Sequence, residues 1–164
     1  MTGLQQIPVQ MQLSLNAGMA IIAGMDECSN GRAGVSTTLG DWFTTPLGKY
    51  LLAREQSYFD HTVSDIFGYY ALQVGLPDHD FLAQNRIPSR WTLDYDPPAT
   101  VIADPHYLPF AENTFDLVVL PHALEFTDDP HLMLREAYRV TRPEGQIVIA
   151  GFNSFSLFGA KRYF

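Results

Sequence analysis

Two short runs in the second half of the chain, 116–120 (DLVVL) and 146–150 (QIVIA), are almost continuously apolar and rich in β-branched residues. A parallel strand covered on both faces has this pattern. Between them Leu134, Ala137, Tyr138 and Thr141 recur at helical spacing. Asp128 or Asp129 is placed to cap a helix starting at Pro130, and Pro143 with Gly145 closes it. Strand, helix, strand is a βαβ unit, so the fold class is α/β. Upstream, 100–103 (TVIA) reads as a buried strand ending on Asp104, and 91–95 as another. Only the loop around Pro97 separates these two, whereas a parallel crossover normally takes a dozen or more residues. Either the earlier run is not a parallel sheet strand, or the helix between them has been lost.

The first half is less regular. Thr45-Pro46 places a hydroxyl at an N-cap and proline at the first helical position. Leu47, Tyr50, Leu51 and Tyr58 fall near one face, which predicts an amphipathic helix over 46–59. The spacing then predicts a short strand over 62–66 and a helix over 69–74 ended by Gly75 and Pro77. A strand, a turn containing Gly68 and a helix is the layout of a nucleotide-binding first unit. Residues 1–36, dominated by Gln, Asn, Gly and Met, read as an N-terminal extension, mobile or loosely docked; 37–164 form the α/β domain.

The length, 164 residues, suits one domain with a real core. A formal net charge of -8 argues against general binding to a phosphate backbone. The single cysteine, Cys28, excludes an intrachain disulfide and makes a reducing cytoplasm the simplest setting. The apolar run 17–25 is too short for a membrane span, which takes about 20 residues. No Lys or Arg precedes it, which argues against a secretory signal. His106, His122 and His131 fit no familiar metal-ligand spacing, so no metal is expected.

In open α/β sheets ligands sit beyond the carboxyl ends of the strands. Four stretches qualify on this reading: 65–70, 104–107, 121–125 and 151–154. Asp104 is placed either to accept from an exocyclic amine or hydroxyl, or simply to cap a turn. His122 and Glu125 follow DLVVL, and either could orient a substrate or act as a base.

The ordered residues Asp104, Leu108, Pro109, Phe110, Phe115, Asp116, Leu124, Glu125, Glu136, Arg139, Val140, Pro143 and Gly145 resemble the second half of the class I S-adenosylmethionine-dependent methyltransferases, in their type 11 branch. The resemblance implies a Rossmann-like, mostly parallel sheet with helices on both faces, and S-adenosyl-L-methionine as cofactor. It implies that Asp104 binds the adenine amino group, that Pro105 offers backbone to the ring, and that Leu120, Pro121 and His122 approach the sulfonium. His122 is then the first candidate base for transfer to an unidentified acceptor. Asp65 and Gly68 would stand for the family's first loop, usually E/D-x-G-x-G-x-G, with one glycine instead of three. Asp94 and Asp96 are the candidates for the acid that holds the ribose hydroxyls.

The chain as given stops soon after the fifth strand, where the family continues with a helix and an antiparallel pair. QIVIA is therefore expected at an open sheet edge, which invites self-association or a tail folded back over it. Two other functions stay in view. One is a non-catalytic relative whose glycine loop has degenerated. The other is a nicotinamide-dependent oxidoreductase, which would need a G-x-G-x-x-G that the sequence does not contain.

Overall fold

A computed structural model describes residues 35–151. Two helices, α1 (Val35–Phe43) and α2 (Pro46–Val63), lead into β1 (Tyr70–Val74), β2 (Ser89–Asp94), β3 (Val101–Ile102) and β4 (Phe115–Pro121). Helix α3 (Pro130–Val140) and β5 (Thr141–Ala150) complete the order. The strands form one sheet in the order β3-β2-β1-β4-β5, and every ladder is parallel. The α/β class and the order of strands from TVIA to QIVIA are as the sequence predicts, but Thr141, Pro143 and Gly145, expected to continue and close the helix, lie instead in β5, because α3 ends at Val140 and Thr141 already pairs with Phe115 of β4.

Alternation along β4 explains the layering. Leu117 and Val119 face a cluster with Leu39 and Phe43 of α1 and Phe59 and Val63 of α2. Val118 and Leu120 face the other cluster, with Met133, Ala137 and Val140 of α3. Helices thus cover both faces, and a central strand has no room for a polar side. Thr45 caps α2 by accepting from Gly48 N–H, and Asp129 rather than Asp128 caps α3 by accepting from Leu132 N–H. Arg139, on the last turn of α3, pairs with Glu136 and donates to the carbonyls of Leu108 and Phe110. Glu136 in turn accepts from Leu108 N–H, so this ion pair pins the loop that leads into β4.

Two sequence expectations are corrected. Residues 62–66 are not a strand: α2 runs on to Val63 and the chain then turns. Residues 69–74 are not a helix but contain β1, the middle strand, in which the last four residues are all buried. A surface helix needs a solvated face, and residues 71–74 have none. The question over the short link is also settled. β2 and β3 pair in parallel (Leu93 with Val101) across a helix-free link, so the usual crossover helix is absent there. Residues 75–88, from β1 to β2, run through turns as well, with Phe81, Leu82 and Ile87 buried against the α1–α2 side. Among the described residues β5 has a strand neighbour on one side only, as expected of QIVIA. Cys28 and the aromatic residues after 151 lie outside the described residues.

Candidate functional site

The strand order reverses between β1 and β4, so a crevice is expected beyond the carboxyl ends of those two strands. Gly75 follows β1 with φ +90°, a conformation that L side chains rarely adopt. A Cβ at this position would lie 3.5 Å from Ala123 Cβ and 3.7 Å from the Pro121 carbonyl, which puts the turn against the end of β4. Gln73, fully buried in β1, holds that turn from below. Its amide donates to the carbonyls of Gly75, Leu76 and His79 (3.1, 3.0 and 2.7 Å), and its Oε1 accepts from Phe81 N–H.

Asp94 closes β2 and is 1% exposed. Its Oδ1 accepts from Tyr95 N–H at 2.7 Å, whereas Oδ2 is buried with no hydrogen-bond partner. Burial holds this carboxyl above its ordinary value, and the negative charges of Asp96 and Asp78 add to the effect. Asp96 itself is exposed. Beyond β3, Asp104 Oδ1 collects three contacts: the Tyr95 hydroxyl at 2.9 Å, His106 N–H at 2.8 Å and His106 Nδ1 at 2.7 Å. All three reach the same oxygen, and the side chain is 45% exposed. Burial works against this carboxylate, but those donors outweigh it and hold its pKa below the ordinary value. Pro105, beside it, is buried.

At the end of β4 the backbone of His122 has φ 55°, and its side chain is completely buried. Nε2 lies 3.0 Å from both carboxylate oxygens of Glu55 on α2, and Nδ1 lies 3.1 Å from Glu125 Oε2. Carboxylates at both nitrogens favour hydrogen on both, that is, the imidazolium form of the ring. Burial opposes that charge, but the bonds to Glu125 and Glu55 outweigh it and raise the pKa to about 9. Burial also pushes the Glu125 carboxyl up, against the pull of His122. The Glu125 side chain is only 21% exposed although the residue as a whole is open to solvent, so it is the backbone that stands out.

The sequence-predicted residues are thus placed unevenly. Asp94, Asp104, Pro105, Pro121 and His122 lie together at the carboxyl rim, with Leu120 directed into the α3-side core. His122 is not placed to act as a base: it is sealed from solvent and has no free lone pair at neutral pH. Asp65 and Gly68 are at the wrong end, because they precede β1 instead of following it. Gly68 has a different reason to be glycine. A Cβ there would come 2.3 Å from Asp116 Cβ, in the turn where Asp116 accepts from Tyr69 and Tyr70 N–H and pairs with Arg142. Gly75, Gln73 and Glu55 are the rim residues that sequence reasoning missed. The signal for the first two was a five-residue run too short for a helix, followed by glycine; Glu55 looked like any helix-surface acid. Among the described residues no group of three His, Cys, Asp or Glu is placed to hold a metal ion.

Comparison with known proteins agrees with this fold. Residues 78–149 match the methyltransferase domain family. An uncharacterized Escherichia coli protein, YafS, is 31% identical over 123 residues, which is 74% of this chain and 51% of that protein. The malonyl-[acyl-carrier protein] O-methyltransferase of Halorhodospira halophila is 42% identical over 60 residues, covering 37% of this chain and 20% of that enzyme. The chain therefore spans about half or less of the length of these relatives. Among solved structures, a SAM-dependent methyltransferase from Thermotoga maritima superposes with a TM-score of 0.56 at 17% identity, over 76% of this chain and 66% of that one. Residues 78–149 are thus similar to a methyltransferase domain, and the sheet has the Rossmann-like α/β fold of the structural neighbours.

Proposed function

We propose that this methyltransferase-type chain binds S-adenosyl-L-methionine along the carboxyl ends of β1 to β4 and presents it to an acceptor for methyl transfer. The observation that carries the reading is the Asp94 carboxylate, buried at the end of β2 with Oδ2 lacking a donor. A buried, unpaired acceptor is costly, and two ribose hydroxyls supply the donors it lacks. Asp104 Oδ2 would take the adenine amino group, with Pro105 beside the ring. Gly75 would let the backbone approach the cofactor, and Pro121 would form the wall at the β4 side. The cofactor supplies an activated methyl group, so the chain's own work is positioning. His122 holds α2 and Glu125 to the end of β4 and takes no proton from substrate.

A non-catalytic relative is the second reading. What favours it is Leu76-Pro77 in the turn after β1, with Leu76 at φ 49° and buried, where the family pattern carries glycines. Calorimetric titration with S-adenosylmethionine and S-adenosylhomocysteine decides between them. Binding that is lost in Asp94→Asn and weakened in Asp104→Ala supports the cofactor reading. No heat from well-folded protein favours the non-catalytic one.

A further inference from the structure

The loops after β3 and β4 are joined by one imidazole. In the sheet β2 and β1 lie between those two strands, so at roughly 4.8 Å a step their ends are about 14 Å apart. His106 nevertheless reaches both loops. Its Nδ1 lies 2.7 Å from Asp104 Oδ1, and its Nε2 bonds to the hydroxyl of Thr127, in the link from β4 to α3. The two loops meet on the α3 side of the sheet, where Leu108 packs into the core and Thr127 leads into the helix. The ring is 16% exposed, so a ligand reaches the half-exposed acid more readily than the histidine that holds it. An ionised carboxylate only accepts, so Nδ1 carries hydrogen; in that neutral tautomer Nε2 accepts from the Thr127 hydroxyl. The Tyr95 hydroxyl and the His106 N–H complete the grip on Asp104 at 2.9 and 2.8 Å. Among the described residues every hydrogen bond to Asp104 is made at Oδ1. The carboxylate therefore cannot turn without losing donors, and its second oxygen remains for a ligand. Capping the turn would need only the backbone N–H; the ring adds orientation.

We propose that His106 is a positioning residue for recognition of the adenine amino group, acting through Asp104 and anchored by Thr127. The inference rests on the cofactor reading above. His106 touches neither the cofactor nor the acceptor in this role. It fixes the angle at which Asp104 presents Oδ2, and Thr127 fixes the plane of the ring. The exocyclic amine is the group that this carboxylate can distinguish, because it donates where a purine without it offers only a C–H. One hydrogen bond to a charged acceptor is worth about tenfold in affinity, and a carboxylate free to rotate forfeits most of that preference. The Asn and Gln replacements separate the two ends of the ring. The amide nitrogen of Asn stands near Nδ1 and keeps the bond to Asp104, whereas that of Gln stands near Nε2 and keeps only the reach towards Thr127.

The test is calorimetric titration of the full chain with S-adenosylhomocysteine and with its analogue that has hydrogen in place of the adenine amino group. The readout is the ratio of the two affinities, which a merely structural role would leave alone because both ligands would weaken together. The wild-type chain is expected to favour the amino ligand about tenfold. His106→Ala and His106→Gln are expected to bring the ratio down to about two, while His106→Asn keeps most of it. Thr127→Val, which removes the anchor and leaves the Asp104 bond, is expected to lower the ratio about twofold. Adding His106→Ala to Asp104→Ala is expected to change the ratio no further, since the histidine acts only through the acid. Far-UV circular dichroism verifies folding; if His106→Ala does not fold, the Asn and Gln pair carries the comparison. A ratio that stays near the wild-type value in the Ala and Gln variants overturns the role of His106 and leaves the cofactor site standing. A wild-type ratio near one overturns the adenine assignment of Asp104 and the proposal with it. Failure of both ligands to bind folded wild-type protein overturns the cofactor reading itself.

Discussion

Replacing Glu55 with glutamine tests the buried Glu55–His122–Glu125 cluster most directly. The variant keeps the side chain's shape and removes one of the two charges that hold His122 protonated. Raising the imidazolium from 6.5 to about 9 corresponds to roughly 3 kcal/mol, at 1.36 kcal/mol for each tenfold change in proton affinity. A folded-state value above the unfolded one stabilises the protein fully below pH 6.5, and that contribution is lost as the pH rises through 9. The ring is completely buried, so screening by solvent does little to reduce the effect. Removing one of two partners is expected to cost about 2 kcal/mol near neutrality, within the range for breaking a buried pair. Once His122 is neutral the same change costs little. Urea unfolding followed by circular dichroism, at pH 7 and again near pH 10, reads both numbers. An Glu55→Gln loss under about 0.5 kcal/mol at pH 7, or an equal loss at both pH values, would refute a charged His122.

Three further outcomes follow from other parts of the fold. Gln73→Leu removes the amide that serves three carbonyls and one N–H of the turn after β1, and is expected to lower stability by about 3 kcal/mol in chemical unfolding. An unchanged midpoint would mean water takes over those bonds. Asp116→Asn is expected to cost about 2 kcal/mol, because the carboxylate serves Tyr69, Tyr70 and Arg142 at once. Burial disfavours the Asp116 carboxylate, but those donors outweigh it and depress its pKa, so the loss is present above the ordinary carboxylate range and disappears as the pH falls through the folded-state value. Gly75→Ala forces a side chain onto φ +90° and is expected to cost about 1–2 kcal/mol and to weaken S-adenosylmethionine binding; full stability and unchanged affinity would show that the turn relaxes freely.

The second half of the fold was legible because its signals are local and agree with one another. β4, α3 and β5 each carry the right period, and Asp129 and Pro130 mark the helix start. Residues 70–74 misled because Gln73 breaks the apolar run and Gly75-Leu76-Pro77 imitates a helix stop. Gln73 is polar for the turn that it feeds, a purpose visible only once its four partners are in place. That single error moved the expected glycine loop to the other end of the sheet and took Asp65 and Gly68 with it. Glu55 was illegible for a different reason. Its partner is 67 residues away, and nothing in the composition of α2 distinguishes an inward acid from a solvated one. Asp94 was named only as one of two acids, and only their burial, which the sequence does not display, separates them: Asp94 is 1% exposed and Asp96 is open to solvent.

The helix-free link between β2 and β3 has a practical consequence for anyone rebuilding this domain. Asp94 and Asp104 are not spaced by the loop that joins their strands but by the ladder itself, through the pairing of Asp94 with Ile102 and the bond from Ala103 N–H to the Asp94 carbonyl. The stretch 95–100 is therefore a splice point. Segments of different length can be grafted between Asp96 and Ala99 without shifting one acid against the other, provided that Tyr95 keeps its bond to Asp104 and Thr100 its bonds to Thr92. A site anchored by register instead of by its connection tolerates redesign at the point where most parallel sheets do not.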